Sequence, residues 1–292
     1  MNRRKFIKTS SVMLTGTLLW PVGSLPRNQK LKFGWVTDIH YAMTKPKWNR
    51  FYAESLVKLK EAVSLYNSSN LDFIIETGDF KDQDAIPTHN RTMQYLTDVE
   101  REFGKYKRAR YHVLGNHDMD SLSKKDFLDN VLNTGIPKDK SYYSFNNSGF
   151  KCIVLDACYK SDGSDYKRGD FDWTDTIIPE SQLDWLKKEL FEGDTPVLIF
   201  VHQLLDGVGD QYVNNSTQVR AILEESKKVM AVFQGHYHEG DYNKINNIHY
   251  ITQKALIEGS GEKNSSYSIV TVKSSGKIRI NGYKRMEDLI VR

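Results

Sequence analysis

His236 and His238 stand two residues apart in Gln-Gly-His-Tyr-His-Glu-Gly-Asp, directly after the apolar run at 229–233. Alternate residues of an extended chain point to the same side, so both imidazoles can converge on one object beyond a strand end. A metal ion is such an object, but two histidines alone are commonplace in loops. Further donors occupy similar places. The apolar run at 31–37 leads into Asp38-Ile39-His40, that at 72–77 into Gly78-Asp79, and that at 111–114 into Gly115-Asn116-His117-Asp118. The run at 196–201 leads into His202. In open α/β sheets the carboxyl ends of the strands are where ligands bind. One strand-end Asp is commonly a helix cap and one His a satisfied core residue; five such ends in succession point to a metal site.

The elements that must position these groups alternate along the chain. Besides the runs above, 152–157 reads as a buried strand. The intervals 51–66, 88–103, 124–132, 180–191 and 217–227 read as amphipathic helices, the first with Leu56, Leu59 and Val63 at helical spacing. Strand and helix in alternation predict a layered α/β sheet. The tail differs: 248–253, 267–273 and 277–283 read as strands without helices between them, the last two joined by a turn at 274–276. They predict a second, more antiparallel sheet. No repeat and no Pro- or Gly-rich linker divides the chain, so residues 31–292 are expected to form one domain.

The series D-x-H, G-D, G-N-H-D, H and G-H-x-H resembles the calcineurin-like metallophosphoesterase superfamily, over residues 33 to about 240. The resemblance implies a four-layer α/β/β/α sandwich of two mixed sheets. Seven side chains matching its metal ligands, Asp38, His40, Asp79, Asn116, His202, His236 and His238, offer only nitrogen and oxygen. Such donors suit Mn, Fe, Zn, Co or Ni better than a calcium cage, without choosing among them. They are too many for one such ion and suffice for two if one carboxylate bridges. The resemblance gives Asp38, His40 and His238 to one ion, Asn116, His202 and His236 to the other, and the bridging place to Asp79. A pair roughly 3.5 to 4 Å apart can activate a shared water and clamp the attacking and departing oxygens of a phosphoryl group. The resemblance also implies that His117 contacts a phosphate oxygen or protonates the leaving group. Asp118 is expected to orient His117 or a ligand. His89, His112 and His249 fall outside the pattern and read as structural.

Departures narrow the substrate. Gly78-Asp79-Phe80-Lys81-Asp82 lacks the Asp-Arg-Gly continuation of protein Ser/Thr phosphatases, and Asp82 stands where purple acid phosphatases carry a ligating Tyr. The chain is too short for the added domains of 5′-nucleotidases or the related DNA exonucleases. Residues 235–242, 248–250 and 255–259, together with Phe171-Asp172-Trp173 and Gln182-Leu183-Asp184-Trp185-Leu186, are similar to the manganese-dependent ADP-ribose/CDP-alcohol diphosphatase branch. That similarity implies hydrolysis of a phosphodiester or diphosphate bond in a small nucleotide-like molecule and favours manganese. A phosphomonoesterase using the same metals, and a non-catalytic binding module, are the alternatives. Loops at 41–52, with Lys45, Lys47, Trp48 and Arg50, and at 204–215 are candidate walls of a substrate cleft, while the charge run at 105–110 reads as solvated.

Charge and the N-terminus bound the setting. The 41 Lys and Arg exceed the 37 Asp and Glu by four, and Arg3, Arg4, Lys5 and Lys8 account for the whole excess. Nothing in the remainder argues for a nucleic-acid polymer or an anionic membrane surface as partner. Residues 1–24 have a basic start, a short apolar middle and small residues at the end, as a secretory signal does. Asn2-Arg3-Arg4-Lys5-Phe6-Ile7-Lys8 is similar to the bacterial twin-arginine signal, which implies export to the periplasm. The apolar stretch at 12–22 falls short of the roughly 20 residues needed to span a bilayer. If 152–158 is one strand, its rise of roughly 3.3 Å per residue keeps Cys152 and Cys158 too far apart for a disulfide.

Overall fold

The computed structural model describes residues 29–292, so the signal expected at 1–24 lies outside the described residues. Among the described residues, twelve strands form two six-stranded mixed sheets. The first contains β1 (Lys30–Val36), β2 (Phe73–Glu76), β3 (Ala109–His112), β10 (Ser266–Lys273), β11 (Ile278–Lys284) and β12 (Leu289–Val291), in the order β12-β11-β10-β1-β2-β3. Its β1, β2 and β3 are parallel, and β10 runs antiparallel to β1. The second contains β4 (Tyr143–Asn147), β5 (Phe150–Val154), β6 (Val197–Phe200), β7 (Val229–Gln234), β8 (Asp241–Ile245) and β9 (Ile248–Thr252). Its order is β4-β5-β6-β7-β9-β8, with antiparallel strands only at the two edges.

Period-2 alternation sorts the side chains into three apolar layers. Phe33, Trp35, Phe73 and Ile75 of the first sheet meet Cys152, Val154, Leu198, Phe200, Ala231 and Phe233 of the second. The intervening Ile74 faces outward with α1 (Ser55–Ser68) and α2 (His89–Phe103), while Ile153, Ile199 and Val232 face α4 (Glu180–Phe191) and α5 (Ser216–Ser226). The result is the expected α/β/β/α order. A short helix, α3 (Lys124–Asn130), follows β3 and opens with a capping box between Ser123 and Asp126.

Several expectations change. The first helix begins at Ser55, and its buried face includes Lys58 beside Leu59, Ala62, Val63 and Tyr66. Strands β4 and β8 carry too many polar residues to read as strands, because each is an edge with one face open to water, and β12 is apolar but only three residues long. β5 stops at Val154, so Cys152 lies between the sheets and Cys158 packs in the layer under α1 and α2; both are free and buried. Nor is 105–110 merely solvated. Arg110 lies on β3 and donates from Nε and Nη2 to Glu100, at 3.2 and 3.0 Å.

Gly34 shows how closely α1 approaches the first sheet. A Cβ there would stand 2.8 Å from the Tyr66 ring, whose hydroxyl donates to the Trp35 carbonyl at 2.8 Å. Gly34→Ala is expected to cost about 1 to 3 kcal/mol through overpacking. Denaturant unfolding checks this; unchanged stability would mean that the helix can retreat freely.

Candidate metal centre

All the predicted ligands fall where parallel strands end. Asp38 and His40 follow β1, Asp79 follows β2, Asn116 follows β3, His202 follows β6, and His236 and His238 follow β7. The backbone there is unusual. Asp38, His40, Asp79 and His236 have φ of 51°, 46°, 55° and 67°, in the left-handed region that few non-glycine residues adopt. Such conformations cost about 1 to 3 kcal/mol each and persist only where surroundings impose them. The tails of β1 and β2 impose them by continued pairing: Asp38 N–H donates to the Gly78 carbonyl at 3.0 Å and His40 N–H to that of Asp79 at 2.8 Å. Gly78 is required by close approach, since a Cβ would meet the His202 ring at 2.4 Å.

The side chains converge in two groups. Asp38, His40 and His238 place one ligand atom each within 4.8 Å of one another, as do Asp79, His202 and His236. Asp79 Oδ2 joins them, lying 3.4 Å from His40 Nε2 and 3.2 Å from His202 Nε2. His238 Nε2 is 3.4 Å from Asp38 Oδ1, and His236 Nδ1 is 3.2 Å from His202 Nε2. Atoms sharing one ion at about 2.1 Å would stand about 3.0 to 3.4 Å apart. Among the described residues, Asp38 Oδ1, His40 Nε2 and Asn116 Oδ1 are buried without any hydrogen-bond partner. Buried polar atoms almost always find partners, so a knot of orphaned acceptors fits a cation.

For three of the imidazoles the inward nitrogen is free to offer a lone pair because the opposite nitrogen of the ring faces an acceptor. His40 Nδ1 donates to Asp82 Oδ2 at 2.9 Å, His202 Nδ1 to the Thr77 carbonyl at 2.8 Å, and His238 Nδ1 to Glu258 Oε1 at 2.6 Å. Sequence reasoning noted Asp82 and Glu258 but gave neither this role; their distance along the chain hides the pairing. Asp118 does not touch His117. Its carboxylate accepts the N–H groups of Gly115, Asp79, Phe80 and Lys81 at 2.9 to 3.3 Å, so of the two roles left open it fits the orientation of a ligand. His117 instead donates from Nδ1 to Asp120 Oδ2 at 2.8 Å, and its backbone N–H donates to Asp79 Oδ1 at 2.8 Å.

The electrostatics match an anionic pocket. Burial would raise the pKa values of Asp38 and Asp79, but the surrounding histidines hold both below the usual carboxylate range. Burial would lower His202, yet Asp79 and Asp38 push it up to about 9. His236 is pulled down to about 3 by burial and by the neighbouring His202. For His117, burial is outweighed by Asp82, Asp120 and Asp79, which push it up to about 10.

Aromatic groups flank the centre. Trp173, unassigned to the cleft from sequence, places its ring 5.6 Å from that of His236 and is 39% exposed. The loop at 41–52 reaches the other side, where Arg50 Nε lies 3.7 Å from Glu258 Oε1 and Lys47 Nζ sits 4.4 Å over the exposed Trp48 ring. In the loop at 204–215, Asp206 accepts from Gln234 and Asn243, which pins it to β7 and β8. Lys45 is exposed. His89, His112 and His249 lie elsewhere: His112 is buried between Glu76 and Glu100, His249 meets the Tyr242 hydroxyl, and His89 faces Asp126.

Comparison with known proteins agrees with this geometry. A family model described as calcineurin-like phosphoesterase matches residues 31–240. A manganese-dependent ADP-ribose/CDP-alcohol diphosphatase of Oryza sativa subsp. japonica is 25% identical over 276 residues, covering 80% of this chain and 85% of that protein. A probable cyclic nucleotide phosphodiesterase of Fibrobacter succinogenes is 26% identical over 217 residues, covering 71% and 73%. The crystal structure of a dimetal phosphatase from Danio rerio superposes with a TM-score of 0.76 at 20% identity, covering 89% of this chain and 98% of that one, and shows the same fold. The chain therefore belongs to the calcineurin-like phosphoesterase family and is a metal-dependent phosphoester hydrolase.

Proposed function

We propose that this protein uses two divalent transition-metal ions, with manganese favoured, to hydrolyse a phosphodiester or diphosphate bond in a small nucleotide-like substrate of the ADP-ribose/CDP-alcohol type. The observation that carries the reading is Asp79 Oδ2, placed between the two groups of unpartnered acceptors. The diphosphatase and phosphodiesterase names of the relatives support the bond class.

Asp38, His40, His238 and Asp79 would hold one ion, and Asn116, His202, His236 and Asp79 the other. When bound, the pair supplies positive charge to the phosphoryl oxygens and acidifies water. The chain's own groups do the rest. Asp82, the Thr77 carbonyl and Glu258 keep three imidazoles turned with Nε2 inward. The Asp38 and Asp79 carboxylates stay ionised. His117, held charged by Asp120, Asp82 and Asp79, is aimed to hydrogen-bond a phosphoryl oxygen or to give its Nε2 proton to the departing oxygen. Arg50 and Lys47 on one side and Trp173 on the other are placed to bind the groups flanking the phosphorus.

Chelator-stripped protein is expected to show only background activity, and manganese should restore hydrolysis of ADP-ribose and bis-p-nitrophenyl phosphate well above that of p-nitrophenyl phosphate. A preference for the monoester would replace the proposal with a phosphomonoesterase, and full activity without metal would overturn it. His117→Ala is expected to lower kcat by about 10²- to 10⁴-fold while leaving the metal content at two ions per chain. Retained turnover would remove His117 from the reaction.

A further inference from the structure

Lys58 is a lysine without any exposed surface, on the buried face of α1. Lysine is almost never fully buried unless paired, and a leucine or methionine would fill the same space without desolvating a charge. Its Nζ has no carboxylate partner among the described residues. It points instead at four consecutive backbone carbonyls: Leu256 at 3.1 Å, Ile257 at 3.0 Å, Glu258 at 3.1 Å and Gly259 at 2.6 Å. Four carbonyl dipoles turned to one point repel one another. The ammonium, with three donors, is what holds them together.

The segment so gathered is the one that supports the metal centre. Its backbone continues the first sheet, with Leu256 N–H donating to the Thr37 carbonyl and Ile257 N–H to that of Asp38, both at 3.1 Å. With the carbonyls turned toward Lys58, the Glu258 side chain reaches the other way to His238 Nδ1 at 2.6 Å. That bond leaves His238 Nε2 facing Asp38 Oδ1. The chain of contacts runs from Lys58 through the carbonyls to Glu258 and then to His238. The second group rests mainly elsewhere: His202 on the Thr77 carbonyl and the Asp79 loop on Asp118, with His236 N–H donating to Asp38 Oδ2 at 3.1 Å as its link to the first group.

We infer that Lys58 is a positioning residue for one half of the centre, setting how tightly Asp38, His40 and His238 hold their cation while acting on the other half far less. The inference rests on the two-ion reading above. Glu54 and Glu258 are the acidic groups whose charge acts on the ammonium without bonding to it, and Arg285, which donates to the Ala255 and Glu258 carbonyls, is the basic one. Burial lowers the Lys58 pKa to about 8, so the charge is present at neutral pH.

Calorimetric titration of manganese into chelator-stripped protein tests this, with Lys58→Met, Glu258→Gln, the double variant, and Lys60→Met on the exposed face of α1 as the control. Native protein and the Lys60 variant should show two sites. Lys58→Met should weaken one site about 10- to 100-fold and keep the other, and the double variant should be no weaker than Glu258→Gln alone. Unchanged affinities, or equal weakening of both sites, would overturn the inference. If Lys58→Met does not fold, Glu258→Gln alone decides: it must weaken one site selectively, and weakening of both or neither defeats the proposal. Native protein that binds no manganese would refute the two-ion reading itself, a result distinct from a native protein with two sites and an unaffected Lys58 variant.

Discussion

Two ionised carboxylates and a set of imidazole nitrogens face one another at a largely buried site, and the rest of the site depends on the cation that this arrangement demands. Apart from His202 and His238, whose pKa values burial lowers but neighbouring carboxylates raise on balance, the protein places little positive charge inside the knot. The orphaned Asp38 Oδ1, His40 Nε2 and Asn116 Oδ1 would each be costly in a fold that had no ion to offer them. Divalent metal binding at these atoms would therefore be coupled to the stability of the loops that carry them.

The two sheets make the convergence possible. Parallel strands within each sheet end together, so side chains far apart in sequence leave the core at one edge. Stacking the sheets through Phe33, Trp35, Phe200 and Phe233 brings the end of β1 opposite the ends of β6 and β7. Left-handed residues then turn the chain sharply beyond β1, β2 and β7, which packs donors more densely than regular structure permits. The strain at Asp38, His40, Asp79 and His236 is held by continued pairing beyond the strands and by the Asp118 carboxylate beneath the Asp79 loop.

Much of this was legible in the sequence because the ligands sit in short motifs directly behind apolar runs. A buried parallel strand is a continuous hydrophobic stretch, and the polar residue that ends it is conspicuous. The groups that aim the ligands were not legible. Glu258 and His238, or Asp82 and His40, are joined by folding rather than by spacing, and nothing local distinguishes Asp120 from Asp118 as the partner of His117. Lys58 was not singled out for a related reason: on a helical wheel it is a charge at the margin of the apolar face, and only the carbonyls of a segment some two hundred residues away explain its burial. The edge strands β4 and β8 were hidden by their polar outer faces.

The central claim is that Asp79 joins two cations through one carboxylate. Anomalous diffraction from crystals grown with manganese tests it most directly. The account predicts two manganese peaks, one among Asp38, His40 and His238 and one among Asn116, His202 and His236, with Asp79 Oδ2 in contact with both. A single peak, or two peaks that do not share Asp79, would contradict it.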